Sequence, residues 1–571
     1  MKEYTTESIR NIAIASHSSA GKTMLAEAFL HITGATTRLG RIEDGTTISD
    51  YDEEEIRRGI SLYTSVLPLE YKNFKINILD TPGYTDFVGE VISALRVSDG
   101  AIVLVDSVAG AEVGTEIAWN NCNQFNLPRF VVINKMDRDN ANFQKALASI
   151  QELSEIRLIP VQIPWGEKAS FQGVIDLLTM KAYKGDGKSA EDIPAEYKDA
   201  AEEARFTLVE AAAEGEDSLL EKYLENGELS TEEILRGLKA VIRTNSYAPV
   251  FCTSATTETG ITRLLDAIID FMPSPAEVEA VKVEGKGGEE LLKASDANSL
   301  AAYVWKTTAD PFVGKQTFFR VYSGMVTSDS RVWNQNKSTE ERFGQISIPR
   351  GKEMIASKVV HSGDIGVVPK LSETITGNTL VDKTHPLTLP IPEYPSALYR
   401  VSIHPKTQAD STKISPTLTR LCEEDMTLSW FNEPATNQTI LQGMGDQHID
   451  VAIRRAEAKF QVNLQTGEPK VPYQETITKK AQAMYRHKKQ TGGAGQFGEV
   501  HLRVEPSTEK EFDFTWEVFG GAVSQSYSAS IQKGIQSVMK EGVIAGYPVR
   551  GVHVGVFDGK EHPVDSKPVA F

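Results

Sequence analysis

The residues best suited to chemistry lie near the start of the chain, where a strand-like stretch gives way to small residues. Residues 11–15 have the pattern of a buried strand, Gly21, Lys22 and Thr23 follow, and a helical pattern begins at Met24. Small residues let backbone N–H groups approach a phosphate, Lys22 supplies a positive charge, and the Thr23 hydroxyl can bind Mg²⁺. The pattern predicts a phosphate-binding loop, although Ser16 replaces the first glycine of the usual motif.

Three further patterns follow apolar strands and suit the same ligand. Asp80 ends a strand and begins Asp-Thr-Pro-Gly, so it can hold Mg²⁺ through water while the Gly83 N–H touches a γ-phosphate. Asn-Lys-x-Asp after the apolar strand at residues 130–133 suits guanine, whose ring N–H and exocyclic amine can donate to the Asp carboxylate. A later strand leads to Ser254-Ala255, whose backbone can contact the guanine O6. The predicted nucleotide-binding residues are Ser19, Ala20, Gly21, Lys22, Thr23, Asn134, Lys135, Asp137, Ser254 and Ala255.

A polar segment over residues 38–64 has little apolar periodicity, so we expect a mobile loop. It is either a solvated connection or a switch segment whose Ser61 hydroxyl reaches Mg²⁺ when a γ-phosphate is present. The predicted metal ligands are therefore Thr23, Ser61 and Asp80. Around these motifs, continuous apolar strands alternate with helices, which indicates a parallel sheet with its ligand at the carboxyl ends of the strands.

The composition limits the remaining classes. The chain has 571 residues, enough for roughly four domains, and is 40% hydrophobic and 24% charged. It contains no run of about 18 apolar residues and no apolar signal-peptide core, and its three cysteines lack metal-ligand spacing. We therefore expect a cytoplasmic protein without a membrane span. The net charge of −18 argues against non-specific nucleic-acid binding but leaves room for a local basic patch.

With these motifs in place, the sequence resembles bacterial elongation factor G, a family of translational GTPases. Outside the nucleotide motifs, the resemblance rests on residues 264–275, 310–324, 437–445 and 490–498 and covers essentially the whole chain. It implies binding of GTP and GDP with Mg²⁺, ribosome-dependent hydrolysis, and movement of tRNA and mRNA. Water attacks in such a reaction, and positioning does most of the catalysis. The residues implied to act are Lys22, Gly83 and Tyr84.

Together, pattern and resemblance predict a multidomain α/β chain. A P-loop GTPase domain occupies residues 1–283 with a helical insert at about 160–247, and a β-barrel follows at 296–385. A ferredoxin-like α/β sandwich covers 394–472, and a partial domain-four α/β module covers 473–571. The resemblance implies that the insert meets the ribosomal stalk, that the GTPase domain meets the factor-binding centre, and that the protein is a monomer. Because the family continues through the rest of domain four and a fifth domain, we expect a truncated or partial chain.

A basic run precedes the glycine-rich loop of the last segment. Residues 479–489 carry five Lys or Arg and no acidic residue, which is either a solvated face or an RNA-phosphate contact. The resemblance places this loop and His562 at the tip of domain four, which enters the ribosomal A site. The RNA contacts implied there are Gln490, Gly492, Gly493 and His562, although Ala494 replaces an arginine common in the family.

Three departures from the family pattern leave the function open. Tyr84 stands where the family usually has a histidine that helps to position water, Ser19 replaces a common aspartate, and Ser61 replaces threonine. We expect a divergent paralogue that promotes translocation with GTP hydrolysis. Two alternatives remain: a GTP-gated ribosome-binding protein with weak or no hydrolysis, and a factor for ribosome protection or recycling.

Overall fold

The computed structural model describes residues 1–310, 313–490 and 495–571, which form two compact units. The first unit comprises Met1–Arg400, Pro405–Trp430 and Leu441–Gln465. The second comprises Val401–His404, Phe431–Ile440 and Thr466–Phe571. Gly492 and Gly493, two of the predicted RNA contacts, lie outside the described residues. None of the helices in the described ranges is long and apolar enough to cross a membrane.

The first unit begins with the predicted parallel sheet. Its seven strands lie in the order β2-β3-β1-β4-β5-β11-β6, and every neighbouring pair is parallel except β2 with β3. Their bounds are β1 Ile9–Ala15, β2 Ser65–Tyr71, β3 Phe74–Asp80, β4 Gly100–Asp106, β5 Arg129–Asn134, β6 Arg157–Pro160 and β11 Tyr247–Cys252. Apolar side chains on both faces are buried under helices, as expected of a sheet with covered faces.

The helices around this sheet are α1 Lys22–Ile32, α2 Glu53–Arg58, α3 Val88–Arg96, α4 Val113–Gln124, α5 Phe143–Gln151 and α9 Ile261–Phe271. The expectation of a mobile loop over residues 38–64 is wrong at its centre, because α2 forms there. Its cap explains why: the Asp52 carboxylate accepts from the Glu54 N–H, Glu55 reaches back to the Asp52 N–H, and Gly59 ends the helix. The many charged residues of this segment obscure the helical pattern, although the side chains of the short helix stabilise it.

The insert is a helical and sheet subdomain. Its strands are β7 Gln162–Trp165, β8 Gly173–Asp176, β9 Lys181–Lys184 and β10 Ser189–Glu191, and its helices are α6 Lys198–Ala213, α7 Asp217–Asn226 and α8 Thr231–Arg243. The sequence also predicts a short strand that begins at Gly173 and helices over residues 196–214 and 230–243, and the structure confirms them as β8, α6 and α8. Ser230 and Glu233 form the capping box that starts α8.

The next segment is rich in β-structure but is not a closed barrel. A small sheet contains β12 Val281–Gly285, β13 Gly288–Leu292 and β24 Leu387–Thr388. The larger sheet contains β14 Ala301–Asp310, β15 Gly314–Ser323, β17 Arg331–Asn334, β18 Thr339–Arg342, β19 Ile346–Arg350, β20 Glu353–Ser357, β22 Ile365–Pro369 and β23 Thr379–Val381, and β16 Val326–Thr327 pairs separately with β21 Val359–Val360. In the described residues the edge strands β18 and β20 do not pair with each other, which corrects the predicted barrel. Alternation along a strand predicts burial of one face, but closure depends on register.

The following segment has the order strand, helix, strand, strand, helix, strand that a ferredoxin-like sandwich requires. The strands are β25 Tyr399–Pro405, β26 Ser429–Glu433, β27 Gln438–Gly443 and β28 Leu464–Gly467. The helices are α10 Gln408–Ser411, α11 Ile414–Glu424 and α12 Asp446–Phe460. The sequence predicts strands at residues 397–405 and 428–431 and helices at residues 411–425 and 448–460. These agree with β25, β26, α11 and α12 within a few residues, whereas β27 and β28 were not predicted.

The second unit contains a four-stranded sheet in the order β29-β30-β32-β31 and one helix. Its elements are β29 Ala481–Lys489, β30 Gln496–Pro506, β31 Phe512–Trp516, α13 Ser528–Glu541 and β32 Val552–Lys560. Helix α13 was not predicted, although Ile531 on it is buried. Ahead of the sheet, the Glu475 carboxylate accepts hydrogen bonds from the backbone N–H groups of Val543, Ile544, Ala545 and Tyr547, which lowers its pKa to about 2.

Candidate functional site

The phosphate-binding loop connects β1 to α1, as the sequence predicts. Lys22, the first residue of α1, is buried, and its ammonium group donates to the His17 carbonyl at 3.0 Å. Burial lowers the pKa of Lys22 to about 8, and the carboxylates of Asp80 and Asp50 partly oppose that shift. A phosphate beside this ammonium would favour its charged form, so the loop is built for an anion.

At two positions in this site, neighbouring atoms lie so close to the backbone that only glycine fits. Gly21 has φ +101°, and a Cβ there would lie 2.6 Å from the Asn134 amide nitrogen. Gly83, which follows β3, has its hypothetical Cβ 2.7 Å from the Ser18 Cα and also against the Lys22 ammonium. Gly83 therefore lies directly against the phosphate-binding loop, where its backbone N–H can contact a terminal phosphate.

The guanine end of the site joins three loops through side chains. The Asn134 amide nitrogen donates to the Ala20 carbonyl at 3.0 Å, and its oxygen accepts from the Ala255 N–H at 3.0 Å. The Ser254 hydroxyl donates to one carboxylate oxygen of Asp137 at 2.7 Å, and within the described part of the chain the other oxygen makes no hydrogen bond. Asn134 thus holds the loops together, and Asp137 is the residue with an acceptor free for a base.

Lys135 lies beside this end of the site. Its ammonium group donates to the Ser19 carbonyl at 2.5 Å and to the Asp106 carboxylate at 2.7 Å. The contacts with Lys135 lower the pKa of Asp106 against the effect of its burial. These two anchors fix the alkyl chain of Lys135 near the loop, a position that suits stacking on a base. The predicted nucleotide residues are therefore brought together.

The predicted metal ligands also meet. The Thr23 and Ser61 hydroxyl oxygens are 3.0 Å apart, and the Ser49 hydroxyl donates to one oxygen of Asp80 at 2.6 Å. The other Asp80 oxygen is buried with no hydrogen-bond partner in the described ranges. Hydroxyl and carboxylate oxygens are the ligands that Mg²⁺ prefers, and an orphaned buried carboxylate oxygen is what a cation would satisfy. The residues present fit Mg²⁺.

Asp50 is a site residue that the sequence analysis missed. It is buried, and neither carboxylate oxygen has a hydrogen-bond partner among the described residues. Burial and the neighbouring Asp80 raise its pKa to about 7. Two buried acids with unsatisfied oxygens beside the Thr23 and Ser61 hydroxyls make Asp50 a fourth candidate for the metal site. The one available signal was an aspartate inside the segment for which a switch was one of two interpretations.

Buried glutamates hold the switch segment in place. Glu27 on α1 accepts from the Ile48 N–H at 2.6 Å, next to Ser49 and Asp50. Glu55 on α2 accepts from the Leu62 and Tyr63 N–H groups, immediately after Ser61. Burial raises the pKa of both glutamates. Each one fixes the backbone beside a candidate metal ligand.

The predicted catalytic residue that departs from the family pattern is Tyr84. It directly follows Gly83, its side chain is 43% exposed, and its hydroxyl makes no hydrogen bond within the described ranges. It lines a small recess with Val88, Val91 and Ile117. The ring is next to the phosphate-binding loop, but no group here holds its hydroxyl toward a water molecule.

Both segments that surround the phosphate end also contact helix α12. The Arg58 guanidinium on α2 donates to the Gln447 side chain at 2.6 Å and pairs with Asp450. Asp86, two residues after Tyr84, accepts from the His448 N–H at 3.2 Å. Leu62, Phe87 and Val451 form an apolar cluster between these contacts. A movement of either segment would therefore act directly on α12.

In the second unit, His562 lies in a loop ordered by Asp565. The His562 Nδ1 accepts from the Val564 and Asp565 N–H groups at 3.3 and 3.2 Å, so its proton is on Nε2. One oxygen of Asp565 accepts from the Gly495 N–H at 3.1 Å. Gln490 is exposed. The imidazole thus presents a donor at a surface that the two loops share.

Comparisons with known proteins identify the chain. Residues 7–274 match the family model of the elongation factor Tu GTP-binding domain. Elongation factor G models match residues 299–383 (domain 2), 394–468 (domain III) and 469–571 (domain IV). A protein from Thermus thermophilus, known from its crystal structure, is 33% identical with a TM-score of 0.89, and the match covers 99% of this chain and 83% of that one.

The chain belongs to the elongation factor G family. Its architecture is the multidomain α/β arrangement of that family, with a GTPase domain and elongation factor G domains II to IV. It is a GTP-binding translation elongation factor, and the resemblance seen in the sequence is confirmed. The residue assignments at the nucleotide site and in the domain IV loops remain predictions.

Proposed function

We propose that this chain is a ribosome-dependent GTPase that promotes movement of tRNA and mRNA through the ribosome. The observation that carries the proposal is that both segments around the phosphate end contact helix α12 through Arg58 and Asp86. Loss of a γ-phosphate from the Gly83 position would release these contacts. Hydrolysis would then change the contact between the GTPase domain and domain III.

In this mechanism the side chains bind and position, and water is the nucleophile. Lys22 holds the β- and γ-phosphates, the Gly83 N–H senses the γ-phosphate, and Asp137 accepts from guanine. Thr23, Ser61, Asp80 and Asp50 would hold Mg²⁺, which supplies charge neutralisation on the phosphates when bound. Glu27 and Glu55 keep two of these ligands in place through the adjacent backbone.

The remaining assignments belong to the same proposal. Domain I spans residues 1–283, with the insert at about 160–247 meeting the ribosomal stalk, followed by domains at 296–385, 394–472 and 473–571. The domain IV loops with Gln490 and His562 would meet RNA in the A site, and the protein would work as a cytoplasmic monomer. The exposed Nε2 donor of His562 supports an RNA contact, because RNA offers phosphate and 2′-hydroxyl acceptors.

A second candidate function is a GTP-gated ribosome-binding protein that hydrolyses little GTP. Tyr84 favours it, because a tyrosine has no neutral imidazole nitrogen to accept a proton and its hydroxyl is not held by a described residue. The ribosome itself could still orient the water, in which case Tyr84 would be tolerated. The two candidates therefore differ in hydrolysis and agree in nucleotide binding.

Multiple-turnover GTP hydrolysis with and without ribosomes separates the candidates. We expect ribosomes to stimulate the unchanged chain at least about tenfold and Tyr84→His to add about 10- to 100-fold, near the low end for a positioned acid–base group. Tyr84→Phe, the matched control, keeps the ring and should behave like the unchanged chain. No stimulation of the unchanged chain, with GTP bound and activity gained by Tyr84→His, would establish the GTP-gated binder instead.

A further inference from the structure

Three connections leave the same end of the domain IV sheet. Strands β31 and β32 are parallel, with Trp516 beside Val556, so the loops that follow them begin at one end. Strand β30 is antiparallel to β32, and its early residue Glu499 pairs with Lys560 at the end of β32. The hairpin connection between β29 and β30 therefore starts and ends there too. The three connections are therefore the hairpin connection, the loop that carries His562, and residues 517–524. We call residues 517–524 the third tip loop.

The third tip loop is fixed to the strand and loop beside it. The Ser524 N–H donates to the Glu561 carboxylate at 3.0 Å, next to His562. Val523 is 3% exposed and lies against Gly559, where a Cβ would be only 2.5 Å from a Val523 methyl group. The loop is thus held at its end, and its middle projects from the sheet.

Phe519 lies in that projecting part and is 92% exposed, more than any other large apolar side chain in the described residues. A phenylalanine ring in water loses the favourable free energy that burial would give, and none of the described residues packs around it. The fold does not need this side chain. The position of the exposed Phe519 side chain beside the His562 loop indicates that this surface binds a partner.

The charges at this end of the sheet indicate the partner's chemistry. Lys488, Lys489 and Lys560 are exposed and have no acidic partner among the described residues, whereas Arg486 and Lys480 are paired with Glu499 and Glu505. Acidic groups are also present: Glu517 is paired with Arg503, Glu561 accepts from Ser524, and Asp558 is exposed without a cationic partner among the described residues. Lys560 ends β32, the strand next to β31, whereas Lys488 and Lys489 end β29 at the opposite edge of the sheet. Unpaired lysines and an exposed aromatic ring at the same end of a sheet are a combination that binds single-stranded nucleic acid, through phosphates and base stacking.

We propose that Phe519 stacks on an unpaired nucleobase of RNA, as a third tip contact beside those of the hairpin connection and the His562 loop. This inference rests on the proposed function, in which domain IV meets RNA on the ribosome. It adds a contact through the aromatic face of Phe519. Because every base has a face that can stack, this contact does not depend on the RNA sequence. The lysines position the RNA backbone, and Phe519 holds a base.

The test measures binding of the full chain, with a non-hydrolysable GTP analogue, to ribosomes that carry mRNA and tRNA. Phe519→Ala should weaken binding about 5- to 100-fold, the range expected for loss of one base–aromatic stack. Phe519→Trp should retain binding, and Phe519→Leu, which is apolar but not aromatic, should lose as much as alanine. Ile544→Ala is the matched control, because Ile544 is 89% exposed in the same unit but lies before β32, away from the tip loops.

The outcomes separate this inference from the proposed function. Full binding by Phe519→Leu with loss in Phe519→Ala would mean an apolar contact with protein and would overturn base stacking. Unchanged binding by Phe519→Ala, with weaker binding by Lys488→Ala and Lys489→Ala together, would overturn the inference and leave the proposed function standing. Failure of the unchanged chain to bind ribosomes would overturn both. Equal unfolding midpoints for the four variants would exclude a folding defect. We expect equal midpoints, because both substituted positions are exposed.

Discussion

The two ends of the nucleotide site differ in how well their polar groups are satisfied. At the guanine end, Asn134 bonds to two loops and Ser254 bonds to Asp137, so the loops are tied before any base arrives. At the phosphate end, Asp50 and one oxygen of Asp80 are buried without partners in the described chain. The guanine end is preorganised, whereas the phosphate end needs its ligands to complete it. Two departures from the family pattern, Ser61 and Tyr84, also lie at the phosphate end.

This contrast teaches where nucleotide state can act. A tied set of loops binds the same base in GTP and GDP, so it supplies affinity without distinguishing them. An end with unsatisfied carboxylates gains most when Mg²⁺ and the terminal phosphate are present, and its backbone is connected through Glu55 and α2 to α12. A ligand shifts a conformational equilibrium only by its differential affinity for the two states. The phosphate end is where that difference arises.

The largest expected effect comes from breaking the guanine end with Asp137→Asn. In the proposed function the Asp137 carboxylate accepts from both guanine donors, and each hydrogen bond to a charged group contributes about 1.5–3 kcal/mol. We expect the Kd for GDP, measured by fluorescence titration, to rise at least about 100-fold.

Asp139→Asn is the matched control for that measurement. Asp139 is two residues away, exposed, and makes no hydrogen bond within the described residues, so its substitution should leave the Kd unchanged. If Asp137→Asn bound GDP as tightly as the unchanged chain, guanine would be recognised by some other group, and the comparison between the two ends would fail.

The next effect tests the phosphate end through its pH dependence. Folding raises the pKa of Asp50 to about 7 from an ordinary value near 4, so the folded state binds a proton that unfolding releases. Without Mg²⁺ or nucleotide, stability from this group is therefore lost as the pH rises from about 4 to 7. We expect Asp50→Asn to be on the order of 2 kcal/mol more stable than the unchanged chain at pH 8, and to show little difference at pH 4.

Chemical denaturation at both pH values, with and without Mg²⁺, measures this effect. Added Mg²⁺ should stabilise the unchanged chain at pH 8 and stabilise Asp50→Asn less, because the variant has lost one carboxylate ligand. Equal stability of the two proteins at pH 8 without the metal would show that Asp50 is satisfied in solution. The polar groups of the phosphate end would then be as well satisfied as those of the guanine end.

The sequence predicts the guanine end better than the phosphate end, for a physical reason. Asn134, Asp137 and Ser254 follow apolar strands, and parallel strands bring their carboxyl ends together, so position in the chain predicts position in space. Asp50 lies in a charge-rich segment without periodicity, and its neighbours come from β3 and α1. Only the folded backbone shows that this carboxylate is buried. The capping box of Asp52 and Glu55 was a readable signal for α2 that segment polarity obscured.

The same distinction holds for the rest of the fold. Strands with continuous apolar residues, such as β4 and β5, are evident from composition, and so are the β-rich runs between turn residues that form β14 and β15. The open edge of the large sheet, the strand β27 and the helix α13 depend on register and on long-range packing, which local patterns do not encode. Phe519 could not be singled out from sequence, because a phenylalanine in a short loop is usually buried.

The smallest expected effects separate Ser16 and Ser19, two of the three serines of the phosphate-binding loop. Ser19 has φ +66°, the left-handed region that costs an ordinary residue about 1–2 kcal/mol and that asparagine tolerates, so Ser19→Asn should raise the unfolding free energy by about 0.5 kcal/mol. Ser16 has no positive φ, and its hydroxyl donates to the His17 carbonyl at 2.9 Å.

Ser16→Gly, which restores the usual motif, should therefore lower the unfolding free energy by about 0.5–1 kcal/mol, because it removes a hydrogen bond and frees the unfolded chain. Denaturant titration of both variants measures the pair, and GDP affinity should change less than about threefold in each. Stabilisation by Ser16→Gly would mean that the loop strains Ser16 in solution. The departure from the usual motif would then carry a cost that its backbone angles do not reveal.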